Sequence, residues 1–402
     1  MKIRQAVETG ENVSGESRTL RIGVAGLGRA FTVMLPTFLA DPRIALVAAA
    51  DPRAEARARF AADFSARTYA TVAELCADPA VEIVYVATPH QYHAAHAIAA
   101  AQHGKHLLVE KPMALTLADC AAMIDAAKRR KMHLVVGHSH SFDAPILRTR
   151  ALIASGVYGD VRMIHALNYT DFLRRPRRPE ELDTAQGGGA VFNQAAHQVD
   201  IVRLLGGGMA KNIRAATGAW DTARPTEAAY SALLTFQNDA FASLVYGGYG
   251  HFDSDEFSGW VGEMGQQKDF IQKPPQHFAR AEDEAAFKNA RNYGGADYQP
   301  PAAPALSHQH FGTVIVSCAR ADLRPMPDGV AVYQNGICRL DPLPPPSVPR
   351  GEVIDELHDA VVNNKPPLHD GVWAMATLEV CLAMLQSARD GRDIALTHQV
   401  AR

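Results

Sequence analysis

Leu20-Arg21-Ile22-Gly23-Val24-Ala25-Gly26-Leu27-Gly28-Arg29-Ala30 reads as a short apolar strand that runs into two glycines set two apart. A strand apolar along its whole length belongs in a parallel sheet covered on both faces. The two glycines let the backbone turn tightly and approach a pyrophosphate, whose charge is then met by the amino terminus of a helix beginning near Arg29. Position 31 is Phe where the dinucleotide fingerprint usually has a third small residue, and Ala30 beside it offers a shifted helix contact. A second apolar run, Ile44 to Ala50, ends at Asp51, 25 residues past Gly26. That is near the spacing of ~20 residues for a carboxylate that takes the adenosine ribose hydroxyls, although Asp51-Pro52 also suits a helix start. Gly26, Gly28, Arg29, Ala30, Asp51 and Arg53 are therefore expected to hold NAD(H). Asp51 repels a 2'-phosphate while Arg53 tolerates one, so NAD is preferred without excluding NADP.

The rhythm continues outward. Val81 to Ala87 is a buried strand ending in Thr88-Pro89-His90, followed by a helix with His93 and His96, and then by the strand His106 to Val109 with Glu110-Lys111-Pro112 at its end. A helix over Leu117 to Arg130 leads to Leu134-Val135-Val136-Gly137. These strands alternating with helices predict a doubly wound parallel (Rossmann) sheet within an α/β fold, a dinucleotide-binding domain over 20–142. Open α/β sheets bind ligands beyond the carboxyl ends of their strands, so Lys111 faces the cofactor, aimed by a turn that Pro112 stiffens. From residue 143 to 402 the pattern changes. A helix over Ile146 to Ser155 is followed by closely spaced strands (Val161 to Tyr169, Ala229 to Phe236, Phe241 to Tyr246), predicting an α+β domain with a mostly antiparallel open sheet. Residues 253–304 are long, polar and aperiodic, an insertion expected to act as a lid or an oligomer arm. Pro342 to Pro349 reads as a stiff linker, and the polar residues 1–19 as a mobile tail without a signal peptide.

Composition bounds the rest. The 402 residues exceed what one core usually holds, and 47% hydrophobic content is ample for two. A net charge of -3 gives no general attraction to nucleic acid or anionic membrane. The five scattered cysteines form no CxxC pair and read as buried apolar residues in a reducing compartment; no run suggests a membrane span, so a cytoplasmic location is expected.

Taken together, LRIGVAGLGRA, Asp51, Thr88-Pro89 with His93 four residues beyond, Glu110-Lys111-Pro112, and Gly187-Gly188-Gly189 ahead of Asn193, His197 and Asp200 resemble the Gfo/Idh/MocA family of nicotinamide-dependent oxidoreductases, over nearly the whole chain from Leu20. The resemblance implies NAD bound by the residues above together with Thr88, Pro89, His93, Glu110 and Lys111. It also implies subunit contact through the open sheet, as a homodimer or homotetramer. The chain departs from the family at Gly137-His138-Ser139-His140, where Asn and Arg are frequent, and at Asn193, where aspartate is. Both departures point away from a sugar or inositol substrate.

A nicotinamide enzyme needs a group to accept the carbinol proton and a positive charge for the developing oxyanion. Lys111 and His197 are the expected catalytic residues. Asn193, four residues before His197, hydrogen bonds substrate but cannot take a proton. The alternative for His197 is a structural histidine satisfied by Asp200. His138 and His140 leave a parallel strand into the crevice and are candidate substrate contacts. No metal is expected, since HxxH-type pairs alone are weak signals. Arg174, Arg175, Arg177 and Arg178, held extended by prolines, are expected to clamp a substrate carboxylate, against the commoner reading of a solvated basic loop. With Ser317 to Tyr333, this makes the chain most similar to the phthalate cis-4,5-dihydrodiol dehydrogenase branch. The expected reaction is NAD-dependent oxidation of an aromatic-acid cis-dihydrodiol to the dihydroxy aromatic acid. The alternatives are a sugar or inositol dehydrogenase and a non-catalytic NAD(H)-binding regulator.

Overall fold

A computed structural model describes residues 18–269, 278, 280–300 and 305–402; the expected tail over 1–19 lies outside these except for Arg18 and Thr19. The chain alternates β1 (Leu20–Ala25), α1 (Arg29–Ala40), β2 (Ile44–Ala50), α2 (Ala54–Phe64), β3 (Arg67–Tyr69), α3 (Val72–Ala77), β4 (Ile83–Val86), α4 (His93–Gln102), β5 (His106–Val109), α5 (Leu117–Arg130) and β6 (Leu134–Val136). All strand pairs are parallel, in the order β3-β2-β1-β4-β5-β6. The order reverses between β1 and β4, which opens a crevice at their carboxyl ends, where Gly26, Thr88 and Lys111 stand. Thr71 and Glu74 cap α3 reciprocally, and Thr116 caps α5.

The second half is α6 (Ala144–Ala154), β7 (Val161–Tyr169), α7 (Ala196–Leu205), β8 (Ala210–Gly218), β9 (Ala229–Phe236), β10 (Phe241–Gly247), α8 (Ala281–Ala290), β11 (Thr313–Cys318), β12 (Asp322–Met326), β13 (Gly329–Gln334), β14 (Ile337–Pro342), α9 (Gly351–Asn363), α10 (Gly371–Asp390) and β15 (Ile394–Ala395). Nine strands form one mixed sheet, antiparallel except where β10 runs parallel to β7. Its inner residues, such as Ile164, Leu234, Leu244 and Val316, are buried against α6, α7 and α10.

Two features depart from the sequence expectations, and the second half also reaches into the first: α9 buries Val353, Ile354 and Leu357 in the core of the first sheet with Ile22, Val24 and Phe31. Tyr293 and Gly294, from the insertion, pack on α2. Helix α10 is long and apolar enough by length and composition to cross a membrane, contrary to the reading that no run is. However, 61% of its most apolar stretch is buried inside the protein, because it is wedged between α5, α7 and β8. The cysteines are all unpaired, but Cys338 is exposed and Cys318 half-buried rather than both buried, since each lies on a strand with one open face.

Candidate active site

The glycine turn forms as the sequence predicts. Gly26 has φ +94°, and a Cβ there would lie 2.8 Å from the Ala87 carbonyl, so only glycine fits where β1 passes β4. A Cβ on Gly28 would meet nothing within 4 Å, because the turn borders open space at the start of α1. Asp51 is buried, and its Oδ2 accepts from the Leu27 amide at 2.8 Å, which ties this carboxylate to the turn. It does not cap α2: the helix starts from Arg53, whose amide and Nε both donate to Asp51 Oδ1. Phe31, in place of the third small residue, is fully buried with Phe60 and Tyr293, ring centroids 5.9 and 5.1 Å away. An aromatic cluster thus replaces close helix-to-strand packing, and part of it comes from a segment 260 residues downstream.

A cleft of about 1070 Å³ runs from this turn to the second sheet. Its lining brings together Gly26, Gly28, Arg29, Ala30, Asp51, Arg53, Thr88, Pro89, His93, Glu110, Lys111, His138, His140, Arg175, Arg177, Arg178, Asn193 and His197, so nearly every candidate residue shares one space. Arg174 does not. It turns away to the His251 ring, because the short helical turn Phe172–Arg174 rotates alternate arginines apart. The other three arginines are largely engaged: Arg175 with Asp171 (2.8 Å), Arg178 with Glu180 (3.0 Å), and Arg177 stacked 3.8 Å over the Phe172 ring while donating to the Phe172 carbonyl. His93, in the lining, also joins two turns, its ring nitrogens lying 2.8 Å from the Thr88 carbonyl and 3.0 Å from that of Pro112.

Lys111 leaves β5 and donates from Nζ to the Asn193 carbonyl at 2.8 Å. Asn193 itself sits in a π-helical turn, Val191–Ala195, an irregularity that favours functional positions. Its side-chain Nδ2 donates to the carbonyls of Gly187 (3.1 Å) and Gly189 (2.8 Å), so the amide fixes the glycine loop instead of offering that nitrogen to substrate. At Gly189 (φ +81°) a Cβ would overlap the Glu227 carboxylate, which accepts from the Val191 amide. His197 is 7% exposed, its ring centroid 4.8 Å from that of His140 and 5.1 Å from that of Phe311. Asp200 does not satisfy it. That carboxylate accepts from Trp373 (2.6 Å), Thr377 (2.7 Å) and Ser141, leaving His197 Nδ1 buried without a partner.

Electrostatics separates the neighbours. Burial, then the coulombic effect of Lys111 and His140, drives His197 well below the imidazole's usual 6.5. His138 falls to about 3 through burial and the nearby Arg350. Burial opposes charge on His140 as well, but Asp143 (Oδ2 2.7 Å from Nδ1) and Glu263 (3.3 Å from Nε2) outweigh it and raise the ring to about 9. Lys111 is lowered by burial, against the pull of Glu110 and Glu263. Glu110, buried and accepting from the Tyr85 hydroxyl at 2.6 Å, is raised by burial. A pair of bases, half-buried Lys111 and buried His197, therefore stands beside a charged pair, His140 with Asp143. His138, His140 and Asp143 also place one possible metal-ligand atom each within 4.8 Å of one another. Asp143 lies between the two rings, 3.1 Å from His138 Nε2, and the three groups satisfy each other.

Asp143, Glu263 and Arg350 were not legible as site residues. Asp143 had a signal, its place three residues after His140. Glu263 and Arg350 had none, since one lies in an aperiodic stretch and the other ends a proline-rich linker.

The NAD-binding Rossmann domain of the Gfo/Idh/MocA oxidoreductases matches residues 20–138, and the GFO/IDH/MocA C-terminal domain matches 146–258. The chain belongs to this family. It is an NAD-dependent oxidoreductase, and the turn, the Asp51 carboxylate and the open space at Gly28 fit that cofactor. It is 49% identical, over 92% of its own length and 95% of the relative's, to the 1-carboxy-3-chloro-3,4-dihydroxycyclohexa-1,5-diene dehydrogenase of Comamonas testosteroni. A crystal structure from Bordetella bronchiseptica RB50, assigned as a dehydrogenase, superposes with TM-score 0.86 at 40% identity, covering 94% of this chain and all of that one. The aldose-aldose oxidoreductase of Caulobacter crescentus, at TM-score 0.71 and 22% identity over 94% of this chain and 100% of that one, shares the fold.

Proposed function

We propose that this dehydrogenase oxidises a cis-dihydrodiol of an aromatic acid to the corresponding dihydroxy aromatic acid. The observation that carries the chemistry is the convergence of the Lys111 amine and the unpartnered His197 Nδ1 on the cleft that begins at the glycine turn. The substrate class is supported by the relative from C. testosteroni, whose name specifies one ring carboxylate and adjacent hydroxyls. NAD, when bound, supplies the oxidising power by accepting a hydride from a carbinol carbon. Gly26, Gly28, Arg29 and Ala30 hold its pyrophosphate, Asp51 its ribose, and Glu110 and the Thr88-Pro89 turn border the ring. His197 and Lys111 divide the proton work: a neutral base accepts the carbinol proton, and the amine, fixed on the Asn193 carbonyl, steadies the oxygen as its charge grows. The hydroxy-dienone so formed tautomerises to the aromatic ring, which makes the oxidation nearly irreversible. A one-carboxylate dihydrodiol is preferred over the two-carboxylate phthalate type, since Arg177 and Arg178 are engaged with the protein itself.

The outer face of the nine-stranded sheet supports a homo-oligomer. Leu233 (46% exposed), Phe241 (41%) and Ile315 (37%) share that face across β9, β10, β7 and β11. A cytoplasmic location goes with the pyridine nucleotide and the five free thiols. The test of function is NADH formation from 1-carboxy-3-chloro-3,4-dihydroxycyclohexa-1,5-diene and its unchlorinated counterpart, beside myo-inositol and aldoses. Faster turnover of the polyols removes the substrate assignment. The same assay with NADP should give a lower kcat/KM than with NAD, because Asp51 is buried and held by Leu27 and Arg53, leaving Arg53 unavailable to a 2'-phosphate unless that pair breaks.

A further inference from the structure

The sequence places a carboxylate clamp in the run Arg174 to Arg178, yet Arg174 lies outside the cleft and Arg175 and Arg178 already have carboxylate partners. Among the described residues lining the cleft, Arg29, Arg177, Arg291 and Arg350 have no carboxylate within 4.0 Å. Arg29 stands beside the glycine turn at the start of α1, Arg291 lies over the Phe287 ring of the insertion, and Arg177 is folded onto Phe172. Arg350 differs. Its guanidinium hydrogen bonds only to neutral groups, Nε donating to Gln309 Oε1 at 3.0 Å and Nη2 lying 3.3 Å from Met264 Sδ, while Glu110, Asp143 and Glu263 act on it through space without an ion pair. Its charge reaches the reaction chamber, where it bears on Lys111, His138 and His197.

We infer that Arg350 is the receptor for the substrate's ring carboxylate, and so the residue that selects an acid over a neutral diol; this rests on the reading of the site as that of a dihydrodiol dehydrogenase. The backbone behind Arg350 is fixed from two sides. Pro349 accepts from the Thr37 hydroxyl of α1 at 2.6 Å, and α9, which starts at Gly351, is anchored by Val353, Ile354 and Leu357 in the core of the first sheet. Arg350 itself is in the left-handed region at φ 55°, a conformation that a non-glycine residue holds only where its surroundings impose it. A cation at a helix start also opposes the helix dipole. An anion held by the guanidinium relieves that opposition and supplies the charged partner that Gln309 and Met264 do not. A planar guanidinium presents two parallel donors to a carboxylate, a geometry a neutral amide cannot reciprocate. The arrangement also explains how one chamber separates its tasks: the acid group is drawn to Arg350 while the hydroxyls are left to Lys111 and His197.

The test is calorimetric binding of benzoate and of its neutral isostere benzamide to the NAD-loaded protein, a readout independent of turnover. Wild type should bind benzoate at least about tenfold more tightly, and Arg350→Gln should bring the two ligands to near equality while NAD binding and the melting temperature hold. Arg350→Lys keeps the charge without the paired donors and should retain a preference of only about threefold, which covers the case in which the glutamine variant misfolds. A wild-type protein indifferent between the ligands, or an undiminished benzoate preference in Arg350→Lys or in folded Arg350→Gln, overturns the inference. If that happens while wild type still turns over carboxylated dihydrodiols, the functional reading stands and only the receptor is misplaced. If selectivity collapses in Arg350→Gln while no dihydrodiol is oxidised, the receptor stands and the functional reading falls.

Discussion

Lys111 and His197 are buried bases of different kinds, and their burial decides their chemistry. Burial makes the charged form costly for the amine and, together with the cations around it, for the imidazole, so His197 stands as an uncharged ring at neutral pH. Lys111→Met should bind NAD nearly as wild type does, by fluorescence titration, while kcat falls about a hundredfold or more. His197→Ala should lower kcat and remove the part of its pH dependence that lies below the usual imidazole range, where burial and Lys111 place this ring; near wild-type kcat in both variants would place the chemistry elsewhere. His140 makes a prediction about stability. Its ring is raised from 6.5 to about 9 in the folded state, so the stabilisation from its charge is complete below 6.5 and is lost as pH rises through 9. Between those limits the melting temperature of wild type should therefore decline more steeply than that of Asp143→Asn, which removes the largest favourable cause of the shift.

The segment from Arg280 to Pro300 does most of its work as an element. Sequence reading could see only a long polar stretch, whereas the fold places α8 and the turn after it along the cleft and pins them with one aromatic residue. Tyr293 is 1% exposed, donates to Asp63 at 2.7 Å and edges onto Phe31 and Phe60. Its backbone carbonyl also accepts at 3.3 Å from Arg53, the residue paired with Asp51. Tyr293→Ala should cost about 3–5 kcal/mol by the usual scale for a buried aromatic truncation, and should raise the KM for NAD more than it changes kcat. Limited proteolysis of that variant should cut first between 280 and 300, and unchanged cleavage would mean that the segment is held by other contacts. Elsewhere the local rules sufficed. The apolar run of β2 and the capped helix α5 begin and end where their residues dictate, whereas β3, only three residues long, carries too little pattern to be seen.

For the whole molecule, the question is what covers the open face of the large sheet. Phe241→Glu with Ile315→Glu should convert an oligomer to a monomer in light-scattering chromatography, with the fold intact by circular dichroism, because charges at the centre of an apolar patch cannot be buried unpaired. An unchanged mass would move the subunit contact to another surface. The sequence by itself determined the parallel first sheet, the glycine turn with Asp51, and Lys111 at the end of β5, since each depends on residues close together in the chain and on periodicities that local physics imposes. Only the tertiary structure decided which of the cleft's arginines pair with carboxylates, that Asp200 serves Trp373 and Thr377 rather than His197, and that Tyr293 and α9 return to the first domain. Those outcomes depend on which side chains far apart in sequence compete for the same partner. A hydrogen bond or buried contact spanning more than a hundred residues leaves no periodicity from which it can be read.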